Sequence, residues 1–371
     1  MFTILLFLIF IRPFISSLAF PYLDLIYSFL LMGFLAIWLL SRGLLLKEIK
    51  PIGYPLTLIC LALIISVVFS LDKLHSFIQL YKYIAGLLLF LIARSLNYEN
   101  KMRILNVIIW SGLIISLLAI YQYLFGFQHL SSYLAQYRIS NTFILESVSQ
   151  KRVFLPFVTP NTLAGYLAMV ISLVLTREDR AWFMVPLSLA LLLTRSLGGL
   201  LSLVLGLAVY FYLQGKIGKR GIVFLFGLIV VSALVLIIRS INQKPHLQPI
   251  FSTIMRLNYW KNTLMIIKAR PLTGIGLGNF NLPQSRFAHN SYLQIWAEMG
   301  ILGFISILWL IIAIFKSALI NIRKINLKTQ AAILIATNIV FLIHNLVDFT
   351  FFLPEVALIW WLILGLTIAK E

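Results

Sequence analysis

Long apolar runs separated by short polar interruptions recur along all 371 residues. Read between charge clusters, they fall at about 2–20, 22–41, 53–70, 76–93, 104–125, 156–176, 181–194, 197–213, 221–238, 290–315, 330–345 and 354–369. A helix needs about 20 residues to cross roughly 30 Å of hydrocarbon. The pattern therefore predicts an all-α, polytopic membrane protein of about twelve transmembrane helices, with 1–371 as a single integral membrane domain. Two interruptions are long, 126–155 and 239–289. Inside the second, 252-STIMRLNYWKNTLMIIKAR-270 offers Ser252 as an N-cap, apolar residues at Ile254, Leu257, Leu264 and Ile267, and Pro271 beyond its end. It predicts an amphipathic helix on the outer surface, with Arg256 and Trp260 four apart on one face. The first run, 2-FTILLFLIFI-11, lacks a basic leader and a small-residue cleavage site and reads as a retained span.

Composition agrees with the pattern: 61% of residues are hydrophobic and 11% charged, where soluble chains carry about a quarter charged. The net charge of +19 invites a nucleic-acid partner, but the basic residues segregate by side as in membrane proteins. With the N-terminus inside, the inner loops hold Arg42, Lys47 and Lys50; Arg94, Lys101 and Arg103; Arg177 and Arg180; Lys216, Lys219 and Arg220; then Lys316, Arg323, Lys324 and Lys328. The short outer loops hold only Arg12, Lys73 and Arg195, so both termini are expected in the cytoplasm and no nucleic acid as partner. The long outer loops carry three and seven basic residues, which the rule tolerates. A single cysteine, Cys60, lies in an apolar run and reads as packing.

This topology brings Arg152, Arg195, Arg256 and His289 to the outer side. Arg195 sits in a tight turn, 194-TRSLGG-199, where topology gives it no reason to be, and it reads as facing a site rather than the lipid headgroups. Arg152 leads into 152-RVFLPFVTPNTLAGYL-167, whose Pro160 and Asn161 invite either a broken helix start or an ordinary kink. His289 and Asn290 open the tenth span, and Asn290, Gln294 and Glu298 recur every four residues as one polar stripe facing protein or water. The histidine suits a base near neutral pH, or a structurally satisfied helix start. Glu298 reads as a helix-to-helix hydrogen-bonding residue, not a catalytic acid. His344 and Asp348 are positioned to bond each other, support the structure, or orient a sugar. The run 274-GIGLGN-279 lacks the context of a P-loop or a dinucleotide turn and reads as a flexible turn. Outer carboxylates are sparse, so no metal ligand and no cofactor is expected. An arginine-rich outer pocket with a histidine suits an anionic, phosphate-bearing substrate.

The segments 271-PLTGIGLGNF-280 and 288-AHNSYLQIWAEMGILGF-304 resemble the signature of the O-antigen ligase and polymerase superfamily. The resemblance extends to 158-VTPNTLAGYLAM-169, 192-LLTRSLGGLLSL-203 and 344-HNLVDFTFFLP-354, with Thr159-Pro160-Asn161 where the family often has Asn-Pro-Asn. It implies a metal-independent, inverting glycosyltransferase of GT-C-like architecture in the bacterial inner membrane, with its site facing the periplasm. The donor would be an undecaprenyl-diphosphate-linked glycan, and the acceptor lipid A-core or a second lipid-linked glycan. His289 would activate the acceptor hydroxyl, and Arg195 and Arg256 would engage the donor diphosphate. Arg152, Asn161, Asn290, Trp260, His344 and Asp348 are the candidate substrate-binding residues, with membrane lipids as surroundings. The modest outer loop favours ligase over polymerase; a transporter of polyprenyl-linked sugars and an inert scaffold remain as other classes.

Overall fold

A computed structural model describes residues 1–42, 52–136, 147–176, 178–215, 218, 221, 227, 249–322 and 328–368. The helices are α1 (Phe2–Ile11), α2 (Pro21–Arg42), α3 (Gly53–Val68), α4 (Lys73–Ser95), α5 (Tyr98–Tyr121), α6 (Phe127–Gln136), α7 (Pro160–Val174), α8 (Met184–Leu193), α9 (Leu197–Leu213), α10 (Pro249–Ala269), α11 (Ser291–Ile322), α12 (Lys328–His344) and α13 (Pro354–Leu366). Among the described residues there is no strand, only one isolated bridge between Leu282 and Ser285. Most of the expected span 221–238 lies outside the described residues, as do Lys47, Lys50, Arg177, Lys216, Lys219, Arg220, Arg323 and Lys324.

The helices begin where short polar side chains satisfy their first amide groups. Asp72 accepts from His75 N–H at α4, Asn97 from Asn100 at α5, Thr159 from Thr162 at α7, and Ser196 from Gly199 at α9. Four helical segments are long and apolar enough to cross a membrane: Pro21–Ser41, Lys73–Ser95, Tyr98–Leu134 and Ser291–Ile320. The other apolar helices among the described residues have 10–17 residues. The expected span 2–20 ends as an α-helix at Ile11, because Arg12 and Pro13 follow. Arg12 is not an exposed loop charge: it is buried, ion-paired to Asp24, 3.8 Å from Glu355, and lies over the Tyr27 ring. The Tyr81 hydroxyl completes the group with a 2.6 Å bond to Asp24.

The centre of the bundle is α7 and α13. Every residue of α13 is buried, and so is all of α7 except Asn161. A helix that is apolar all round belongs inside. α13 packs along α4, and α7 is flanked by α9 and α12. Around them, Ile4, Phe7, Leu30, Leu40, Leu74, Val185 and Ile312 stand exposed, a surface suited to lipid tails in an integral membrane protein. Cys60 joins this outer surface rather than the core.

Polar contacts gather at the two ends of the bundle. At one end Lys101 Nζ donates to the last carbonyls of the α13 region, Ile368 O at 2.6 Å and Leu366 O at 3.3 Å. The other end collects the α3–α4 turn, the chain from Lys151 to Asn161, the α8–α9 turn, α10 with the loop after it, and the α12–α13 connection.

Candidate active site

Three non-glycine residues adopt left-handed backbone among the described residues: Lys151 (φ 49°), Arg195 (φ 51°) and His289 (φ 51°). Arg195 and His289 are two of the three residues expected to do the chemistry. Such a conformation costs an L-residue about 1–2 kcal/mol and concentrates at functional sites. At Arg195 the cause is local: α8 closes at Thr194 and Ser196 already caps α9, so one residue reverses the chain. Among the described residues, no hydrogen bond or ion pair engages the guanidinium of Arg195 or of Arg256.

His289 precedes α11. Its ring stacks on Tyr259 at 5.5 Å between centroids and meets Phe349 edge-on at 4.8 Å. Its Nδ1 is buried without a hydrogen-bond partner among the described residues. Burial pushes the imidazole below its usual pKa; the Asp348 carboxylate opposes this and the Arg256 guanidinium adds to it. Burial thus favours the neutral imidazole, the form that accepts a proton.

Tyr259, Trp260 and Arg256 come from α10. The helix starts at Pro249, ahead of the expected cap Ser252, and the face turned to the bundle is not the expected one. Thr263 and Ile267 are buried and Arg256, Tyr259 and Trp260 half-buried, whereas Leu257 and Leu264 are exposed. Arg256 and Trp260 share the inner face as their spacing predicts, and Trp260 Nε1 donates to His289 O at 3.4 Å.

The expected single span beginning at Asn290 is broken. Gly300 has φ 67° and ψ −176°, dividing α11 in two. The glycine run fills the break: Ile275 and Gly276 N–H donate to Ala297 and Glu298 carbonyls at 2.9 and 3.0 Å, and Ile301 N–H to Pro271 O at 2.9 Å. Glycines are required because Gly274, Gly276 and Gly278 all have positive φ, and a side chain at Gly274 would strike Gly300 N within 2.7 Å. The run 274–279 is thus a pinned plug, not a flexible turn. Asn279 Nδ2 ties it to the α3–α4 turn, 2.6 Å from Ser70 Oγ and 2.9 Å from Ser76 Oγ. The Glu298 side chain bonds this loop, its Oε2 accepting Gly278 N–H at 2.8 Å, while its carbonyl accepts the Ser66 hydroxyl of α3 at 2.8 Å, the helix-to-helix bond expected of it. The polar stripe is real, but Asn290 Oδ1 is committed to capping α11, accepting from Tyr292 and Leu293 N–H, each at 3.1 Å.

The remaining candidates form the frame. Arg152 Nε donates to Thr194 O at 3.0 Å and Nη2 to Asn161 Oδ1 at 3.1 Å, bracing the Arg195 turn against the start of α7. That start is an ordinary capped one with Pro160 at its first position, not a break. His344 and Asp348 are both 1% exposed, and Asp348 Oδ1 accepts from Phe349 N–H rather than from His344. The His344 ring lies where only glycine fits, since a methyl at Gly165 would stand 2.5 Å from it, and it faces Gly198, three residues past Arg195. Next to it, Asn345 holds Ser291 twice: Ser291 N–H reaches its carbonyl at 2.9 Å and Ser291 Oγ its Oδ1 at 2.6 Å. His344-Asn345 thereby joins the Arg195 turn to the His289 turn.

Asn345, Ser291, Asn279 and Gln122 were not singled out from sequence. Gln122, at the π-helical turn Gln122–Gly126, accepts Phe154 and Leu155 N–H at 2.8 and 3.0 Å. The available signal was an amide or hydroxyl side chain at the end of an apolar run.

Residues 182–308 match the family model described as O-antigen ligase. The match contains Arg195, Arg256, His289 and the glycine plug, and is narrower than the motif resemblance, since Arg152, Asn161, His344 and Asp348 lie outside it. No curated protein matches the chain.

Proposed function

We propose, from the match of residues 182–308 to the O-antigen ligase family model, that this chain is a metal-independent, inverting glycosyltransferase of the O-antigen ligase/polymerase superfamily in the bacterial inner membrane. It transfers a glycan from undecaprenyl diphosphate to a hydroxyl of lipid A-core at the periplasmic face. The observation that carries the reading is His289: a depressed imidazole in a left-handed turn, walled by Tyr259 and Phe349, with the Arg256 charge acting on it.

In the step so framed, His289 takes the proton of the acceptor hydroxyl as its oxygen bonds to the anomeric carbon. The carbon–oxygen bond to the diphosphate breaks on the opposite face, which inverts the centre. The electron pair leaves with undecaprenyl diphosphate, whose growing charge Arg195 and Arg256 neutralise; guanidinium forks match phosphate oxygens in pairs. Arg152, Asn161, His344 and Asp348 support the turns that present these groups. Trp260 and Asn290 flank His289, Trp260 through the His289 carbonyl and Asn290 as the cap of α11.

The test is transfer by purified protein in chelator, from an undecaprenyl-diphosphate-linked oligosaccharide, with lipid A-core or a second donor molecule as acceptor. Product on lipid A-core that disappears in His289→Ala, with donor binding retained, is expected. Elongation of the second donor makes the protein a polymerase instead, and movement of label between leaflets without a new glycosidic bond makes it a transporter.

A further inference from the structure

The His289 turn is held from below by two buried side chains to which the reaction assigns nothing. Ala288 N–H donates to Gln294 Oε1 at 3.0 Å, Gln294 Nε2 donates to Glu298 Oε1 at 2.9 Å, and Gly278 N–H donates to Glu298 Oε2 at 2.8 Å. Gln294 and Glu298 are 2% and 1% exposed, so water does not substitute for these bonds. A backbone N–H on one side and a carboxylate on the other fix which end of the Gln294 amide points where. The chain of bonds therefore has a direction. It starts at the residue before His289, runs down α11 and ends in the glycine plug, which Ser70 and Ser76 anchor to the α3–α4 turn.

We propose that Gln294 and Glu298 are positioning residues for His289: their relay locks the left-handed turn that aims the imidazole to the plug that fills the α11 break. The inference rests on His289 acting as the base in the reading above. Two features favour positioning over simple packing. The relay attaches to the backbone of the turn itself, at the residue next to His289. It also joins the turn to a loop that reaches α11 from elsewhere in the chain, so the ring is referred to the bundle and not only to its own helix.

The direction of the relay supplies a test that packing alone would fail. In Glu298→Gln, a carboxamide meets two donors and one of its own N–H groups faces a donor. In Gln294→Glu, two carboxyl groups meet, and above the pH at which they share a proton they repel where a hydrogen bond stood. In the double variant Gln294→Glu/Glu298→Gln every bond returns: the carboxylate at 294 accepts from Ala288 N–H and from the carboxamide at 298, whose oxygen accepts Gly278 N–H. Misplacement of a catalytic group by about 1 Å costs on the order of 100-fold in rate. Each single variant should lose about that factor in kcat for transfer from the undecaprenyl-diphosphate oligosaccharide, with the donor Kd within threefold of native. The double variant should recover kcat to within a few-fold.

Singles that keep native kcat overturn the proposal. So does a folded, donor-binding double variant no better than the singles. If a single variant does not accumulate, the double and Gln294→Ala, which removes the acceptor of Ala288 N–H while leaving Glu298 on Gly278, decide in its place by the same criteria. His289→Ala is run alongside. If it transfers at the native rate, the base assignment fails and the relay with it; if it is inactive while the swaps are native, only the relay fails.

Discussion

Gly300→Ala is the perturbation whose consequence follows most directly from the structure. Gly300 has φ 67° and ψ −176°, a region closed to side-chain-bearing residues at a cost of about 1–3 kcal/mol. The added methyl would also stand 2.8 Å from Thr273 N and closer still to the Leu272 carbonyl. That segment does not retreat freely. Pro271 O accepts from Ile301 N–H at 2.9 Å and from Trp296 Nε1 at 3.2 Å, and the Ile275 and Gly276 amides hold the next turn. Giving up one or two of these bonds costs about 1 kcal/mol each, more where a donor is left buried. The sum is about 2–5 kcal/mol, a large part of a typical 5–15 kcal/mol stability. Gly33→Ala is the control, since nothing lies within 4 Å of its methyl and it sits inside α2. Unfolding of both variants in detergent, followed with transfer activity, should show Gly300→Ala strongly destabilised and inactive and Gly33→Ala at least as stable as native. Equal midpoints and equal activity would refute the account of the α11 break.

The other expectations follow from single contacts. Asp348→Asn keeps the acceptor for Phe349 N–H but removes the charge that raises the His289 pKa, so the acidic limb of the kcat/KM profile should move to lower pH; in Arg256→Ala, with a lowering charge removed, the limb of the residual activity should move to higher pH. The reverse order of shifts would remove these charges from the account of His289. Arg195→Lys keeps the charge and loses the fork, so donor Kd should rise, though less than in Arg195→Ala; equal Kd for native and lysine variants would argue against paired contacts to phosphate. Arg152→Ala loses bonds to Thr194 O and Asn161 and should lower the unfolding midpoint through about 1.5–3 kcal/mol. Arg12→Met strands Asp24 and Glu355 in the interior, a loss of about 3–5 kcal/mol that should show as failure to accumulate in membranes.

What was legible in the sequence was what local pattern controls. Apolar runs located the helices, and the expected grouping of Arg256 with His289 agrees with the Arg256 charge acting on the imidazole. The α11 break was not legible, because Gly300 sits in an unbroken apolar run and a helical glycine costs only about 1 kcal/mol. The break becomes stable through a carbonyl and amides contributed by 271–276, and no local pattern reports that pairing. The same holds for Arg12, whose neighbours Asp24 and Glu355 are 12 and 343 positions away (24 − 12 and 355 − 12) and meet it only once the bundle forms.

The left-handed turns carry a further argument. Glycine closes a turn at φ near 50° without steric cost, and this chain places glycine at positive φ in the plug at 274, 276 and 278. At 195 and 289 it places arginine and histidine instead, in turns of the same handedness, at a cost of about 1–2 kcal/mol each. Chain reversal alone does not account for that choice. Among the described residues the Arg195 side chain makes no hydrogen bond or ion pair that would offset the strain, and the His289 Nδ1 is buried without a hydrogen-bond partner. In the proposed reaction the compensation for the strain comes from a substrate bearing both a phosphate for the guanidinium and a hydroxyl near the imidazole.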